Sequence, residues 1–188
     1  MQNIEKYAER INKIVFGDSI NYEDLEFYLE QQGIDVRYVS NPALDGYLRW
    51  DQNEGCPVIT VSISNNALVR QRFTMAHELG HLILEHDWIP GANNDAAELK
   101  LQNKNVLNTL AYRGKAKYTK EEYAKEREAN KFAASFLIPI SGLKIMVQEA
   151  IDNKQSGDQL INDVARKYKV STPTARFRVK HYLENFVG

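Results

Sequence analysis

Apolar positions along the chain change period twice, from helical to alternating and back to helical. In residues 3–16, Ile4, Tyr7, Ala8, Ile11, Ile14 and Val15 recur at helical spacing and Gly17 closes the run, which predicts an amphipathic helix. A second helix is expected over 21–32, with Asn21 as N-cap, Leu25, Tyr28 and Leu29 on one face, and Gly33 as its stop. Segments 34–39, 46–50 and 58–63 then alternate and are rich in β-branched and aromatic residues. With turns at Asn41-Pro42 and Asn53-Glu54-Gly55, they predict a small three-stranded, mainly antiparallel sheet with one face toward solvent.

The helical period returns over 66–85, with Phe73, Ala76, Leu79, Gly80 and Ile83 along one stripe. Residues 87–118 read as a long connection with a weak helix over 96–112. Thr119 and Glu122 form a capping box that opens a helix ending near Ile138, before Pro139. Ser141 is read as the cap of the next helix, to about Asn153, and 153–157 as polar linker. Two last helices are expected over 158–168 and 172–185, joined by Lys169-Val170-Ser171 in the manner of a helix-turn-helix. The expected fold class is α+β, with a first domain over 1–153 and helix-turn-helix-like C-terminal helices, 154–188, packed on it.

Composition narrows the function classes. With 24 Lys+Arg against 25 Asp+Glu, the formal charge of −1 exerts no global pull toward nucleic acid or acidic membrane. The single cysteine, Cys56, excludes both an intramolecular disulfide and a cysteine-based zinc cage. The charged N-terminus lacks a signal-peptide core, and no run reaches the roughly 18 apolar residues of a membrane span. A soluble, cytoplasmic protein with no membrane partner is expected.

The chemistry lies at His77-Glu78-Leu79-Gly80-His81, a His-Glu-x-x-His pattern inside a predicted helix. A sequence of this composition yields such a match by chance about once in 150. Residues four apart share a helix face, so both imidazoles can reach one Zn2+ ion, and Glu78, one residue on, can serve as general base. A peptidase zinc needs a third protein ligand. The metzincin pattern would place Gly and His where this chain has Leu84 and Asp87, so that class is out. His86 lies about 140° around the helix from His81 and is expected to face solvent or to be a helix-end charge.

A glutamate on a second helix is the other solution, and both Glu126 and Glu128 are candidates. Glu126 lies closer to the buried direction set by Ala129, Phe132, Ala133, Phe136 and Leu137. Asn130, one turn later on the same face, could hydrogen-bond a zinc-bound imidazole. Tyr112, Tyr118 and Tyr123 are candidate oxyanion donors by proximity in sequence alone.

The blocks from Arg72 to His86 and from Glu126 to Pro139 together resemble the ImmA/IrrE family of zinc metallopeptidases, and the order of elements is similar over most of the chain. The resemblance implies a zincin fold of gluzincin type, with His77, His81 and Glu126 as zinc ligands and Glu78 as general base. It also implies a regulatory endopeptidase that cleaves an XRE-type helix-turn-helix repressor and so induces the genes it silences. The 87–118 connection is long for that pattern, and Ile138 stands where the family more often has Met.

A rival reading comes from the C-terminal pair. Residues 158–188 carry six Lys/Arg against three Asp/Glu, hence +3, and Arg176, Arg178 and Lys180 could face DNA. The alternative is therefore a DNA- or protein-binding regulator with a vestigial or structural zinc site. It is not favoured, because Leu160, Ile161, Val164, Ala165, Val170, Phe177, Val179 and Tyr182 read equally well as residues closing the core.

Overall fold

In a computed structural model of the chain, the residues described are 4–17, 24–42, 44–64, 67–86 and 119–186. The expected cap at Asn21, the opening of the third helix at Asn65-Asn66 and the 87–118 connection lie outside them. Ten elements follow in order: α1 (Ile4–Phe16), α2 (Leu25–Gln31), β1 (Asp35–Val39), β2 (Gly46–Asp51), β3 (Cys56–Ser62), α3 (Leu68–Ile83), α4 (Lys120–Leu137), α5 (Ile140–Asp152), α6 (Gly157–Lys167) and α7 (Thr172–Phe186). The class is α+β: a small three-stranded sheet and, among the described residues, seven helices.

The sheet departs from expectation in its topology. Its order is β1-β3-β2, with β1 parallel to β3 (Asp35 opposite Val58) and β2 antiparallel to it (Asp51 opposite Cys56). A mainly antiparallel sheet assumed that strands adjacent in sequence pair. Residues 58–62 of β3 are instead buried without interruption, as a strand covered on both faces must be, and such a strand takes the centre. The β2–β3 hairpin closes at Gly55, whose φ of 64° suits glycine, while Asp51 Oδ1 accepts from the backbone N–H of Asn53 at 3.0 Å.

Helices stack below the sheet. α3 packs against β2 and β3 on one side and α4 on the other, and α4 in turn lies on α1. Phe132 and Phe136 of α4 stack at 5.9 Å between ring centroids, and Phe16 of α1 sits 5.5 Å from Phe136. The buried stripe of α1 is Glu5, Ala8, Asn12, Val15 and Phe16, whereas Ile14 is exposed, so the apolar stripe read from the sequence is rotated. Two polar side chains lie inward because each has a buried partner: Asn12 Nδ2 donates to Phe136 O at 2.7 Å, and Glu5 pairs with Arg178.

The helix caps sort into expected and unexpected. The Thr119–Glu122 capping box is present at α4. Ser141 caps nothing: α5 begins at Ile140 after Pro139, and the Ser141 N–H is met by Glu9 Oε1 at 3.0 Å. At α6 a second capping box, Ser156 with Gln159, starts the helix within the stretch read as linker. No single helix among the described residues is long and apolar enough to cross a membrane.

Arg178 of α7 is 1% exposed and forms its ion pair with Glu5, while its Nε donates to Ile138 O at 2.9 Å. It therefore ties the C-terminal helix to the first helix and to the end of α4, and is not placed to meet DNA. Phe177, expected in the core, is exposed, while Leu160, Ile161, Val164, Val170, Val179 and Tyr182 are buried. Glu5→Ala should leave the guanidinium charged in an apolar site and cost about 3–5 kcal/mol in urea unfolding. Glu5→Leu with Arg178→Met should recover most of that loss; a single Glu5→Ala variant as stable as the wild type would contradict this role.

Candidate metal centre

Every residue of α3 from Thr74 to Gly80 is buried, because this stretch lies between sheet and α4. Such burial requires close helix packing, and Gly80 provides it. A Cβ there would meet Phe132 Cδ1 at 3.1 Å, Ala129 O at 3.2 Å and Ala129 Cα at 3.3 Å, so a side chain would press these neighbours back by a few tenths of an ångström. His77, about one turn before that contact, and His81, the next residue after it, face Glu126 of α4.

The three side chains converge. His77 Nε2 and His81 Nε2 are 3.0 Å apart, Glu126 Oε2 is 3.3 Å from the first, and Glu126 Oε1 is 3.4 Å from the second. One ligand atom from each lies within 4.8 Å of the others, a group that could hold a metal ion. Bonds of about 2.05 Å at tetrahedral angles set ligand atoms about 3.3 Å apart, and each imidazole Nε2 lies near that distance from a different Glu126 oxygen. Glu78 adjoins His77 on the same helix and is 5% exposed.

Neighbouring groups hold the donors. His77 Nδ1 is 3.0 Å from Asn130 Oδ1, the contact its place one turn beyond Glu126 suggested. Glu128 does not join the donor group; its Oε2 is 3.2 Å from His86 Nε2. His86, expected at the surface, has a side chain 8% exposed and stacks edge-on against His81 at 5.2 Å.

Electrostatics follow from these contacts. Burial alone would raise the Glu126 carboxyl, but hydrogen bonds and charge from His77 and His81 overcome it and hold the group well below the usual carboxylate range. His86 is pushed below an ordinary histidine by burial and by the nearby His81, with Glu128 opposing. Beside Glu126 a cleft of about 350 Å³ opens, walled by Arg70, Phe73, Tyr123 and Asn130. Arg70 is tied to Asp45 at 2.9 Å, immediately before β2. Tyr123 stands on this wall and is largely exposed, whereas Tyr112 and Tyr118 lie outside the described residues.

Residues 29–180 match the family model Peptidase_M78, described as the IrrE N-terminal-like domain. None of the curated proteins compared with the chain matches it. Among solved structures, a chain described as a Mycobacterium tuberculosis transcriptional regulator superposes with a TM-score of 0.54 at 19% identity, which shows likeness of fold. That match covers 93% of this chain and 46% of the other, so this chain spans about half the length of that protein.

Gly80→Ala tests the helix contact directly. It should raise intrinsic helix propensity by about 0.5–1 kcal/mol yet press α4 back at Ala129 and Phe132, and if that contact sets the donor spacing, metal should bind about tenfold more weakly in chelator competition. Unchanged affinity would show that the approach at Gly80 does not set the donor spacing.

Proposed function

The chain belongs to the M78 peptidase family, IrrE N-terminal-like, and from that membership we propose that it is a zinc-dependent endopeptidase of gluzincin type. In this reading His77, His81 and Glu126 hold the ion and Glu78 is the general base. The observation that carries it is the convergence of His77, His81 and Glu126, one ligand atom of each within 4.8 Å of the others, a nitrogen-and-oxygen donor set of the kind zinc takes.

Bound zinc supplies a Lewis acid that polarises a peptide carbonyl and brings the pKa of water toward neutrality. The protein's own groups do the rest. A Glu78 carboxylate oxygen takes the proton of the attacking water and delivers it to the departing amine nitrogen. Burial of Glu78 keeps bulk water from competing for that proton. With zinc bound, Asn130 Oδ1 would accept from His77 Nδ1–H and so keep His77 Nε2 unprotonated as a ligand. β2 lies at the edge of the sheet, and Asp45, just before it, borders the cleft, so a substrate segment adding to that edge would run past Glu126.

The substrate assigned is an XRE-type helix-turn-helix repressor in the cytoplasm, as the resemblance of the two sequence blocks implies. The rival reading, a DNA-binding regulator with a vestigial site, has less support. Of its three basic residues Arg178 is buried, Arg176 pairs with Asp158 at 3.1 Å, and Lys180 lies 3.7 Å from Glu184.

Incubation of the zinc-loaded protein with a purified XRE-type repressor, followed by mass spectrometry of the fragments, tests the reading. Cleavage at a defined bond is expected, slowed about 10²–10⁴-fold in Glu78→Gln with zinc retained. An intact repressor, or equal cleavage by Glu78→Gln, would refute it.

A further inference from the structure

α3 ends in a turn that returns the chain over its own last residues. The Glu85 N–H donates to Leu82 O at 3.3 Å and the His86 N–H to His81 O at 3.0 Å, the paired bonds of a Schellman motif. Glu85 takes the left-handed conformation, φ 55°, where glycine is usual and a side chain costs roughly 1–2 kcal/mol. The result is that His86 Nδ1 lies 3.2 Å from His81 Nδ1, while His86 Nε2 faces Glu128 Oε2 at 3.2 Å.

The protons on these rings are then determined in sequence. A neutral imidazole carries one proton, and a carboxylate can only accept. Glu128 therefore selects the His86 tautomer protonated at Nε2. His86 Nδ1 becomes an acceptor, and the donor facing it is His81 Nδ1–H. In the zinc-loaded protein, His81 with its proton at Nδ1 would offer Nε2 as the lone pair with which an imidazole ligates a cation.

We infer that His86 and Glu128 are positioning residues for the metal centre, acting through His81: Glu128 orders the proton on His86, and His86 orders the proton and ring plane of His81. The inference rests on the reading of His77, His81 and Glu126 as metal ligands. It gives the two glutamates of α4 separate tasks, Glu126 at the ion and Glu128 at one remove through two imidazoles.

Side-chain nitrogen NMR of the zinc-loaded protein reads the tautomers directly, and chelator competition reads zinc affinity. Expected are His81 protonated at Nδ1 and His86 at Nε2. His86→Ala and Glu128→Ala should each weaken zinc binding about 10–100-fold. The double variant should bind no more weakly than His86→Ala alone, since the two act in series. Glu128→Gln, whose amide oxygen still accepts from His86, should keep most of the affinity and the wild-type His81 tautomer.

A wild-type His86 protonated at Nδ1, or zinc affinities within twofold of wild type in both alanine variants, would overturn the relay while leaving the ligand reading intact. If the wild type takes no zinc, the ligand reading falls and the relay falls with it.

Discussion

The close approach of two helices at Gly80 is the constraint on which the rest depends. Glycine inside a helix sacrifices stability, about 0.5–1 kcal/mol against alanine, and is retained where a backbone must come near. Here the neighbour is the Ala129 backbone of α4, with Phe132 beside it. Because the contact falls between His77 and His81 in sequence and just after Glu126 on the partner helix, the separation that packs the core also sets the spacing of the three donors.

That contact is held from both sides. β3, buried along residues 58–62, gives α3 a firm wall, and α1 backs α4 through Phe16 and the Asn12 bond to Phe136 O. The Arg178–Glu5 pair extends the bracing to the C-terminal helix, with Arg178 Nε bonded to Ile138 O where α4 ends. A donor group held within tenths of an ångström needs rigid elements beneath it, and here the core supplies them. The cleft beside Glu126 sits where that packing opens, at the start of an edge strand.

Much of this was legible in the chain, for identifiable reasons. Long helices with strong periodicity and a capping box, such as α4, announce both ends, and the His-Glu-x-x-His spacing marks its own face of α3. The burial direction of α4 separates Glu126 from Glu128 by angle alone. What periodicity missed were positions where one local rule yields to a partner distant in sequence. Glu5 and Asn12 occupy the inner face of α1 because their partners, Arg178 and Phe136, arrive from α7 and α4. β3 took the central place because its run of buried residues outweighed adjacency in sequence. His86 escaped because extrapolating the helix beyond Ile83 put it outward, whereas a left-handed Glu85, with no glycine to signal it, folds it back onto His81. The Ser156–Gln159 box is legible in its residues, although its polar composition reads equally as linker.

The central claim is that the two helices jointly make one zinc site with Glu126 as its third protein ligand. Native mass spectrometry of protein purified without chelator and then offered zinc measures this directly, with Glu126→Ala alongside. The account predicts one zinc per wild-type chain and none retained by a folded Glu126→Ala chain under the same conditions. A folded wild-type chain that takes no zinc, or a Glu126→Ala chain that holds it equally well, would contradict it.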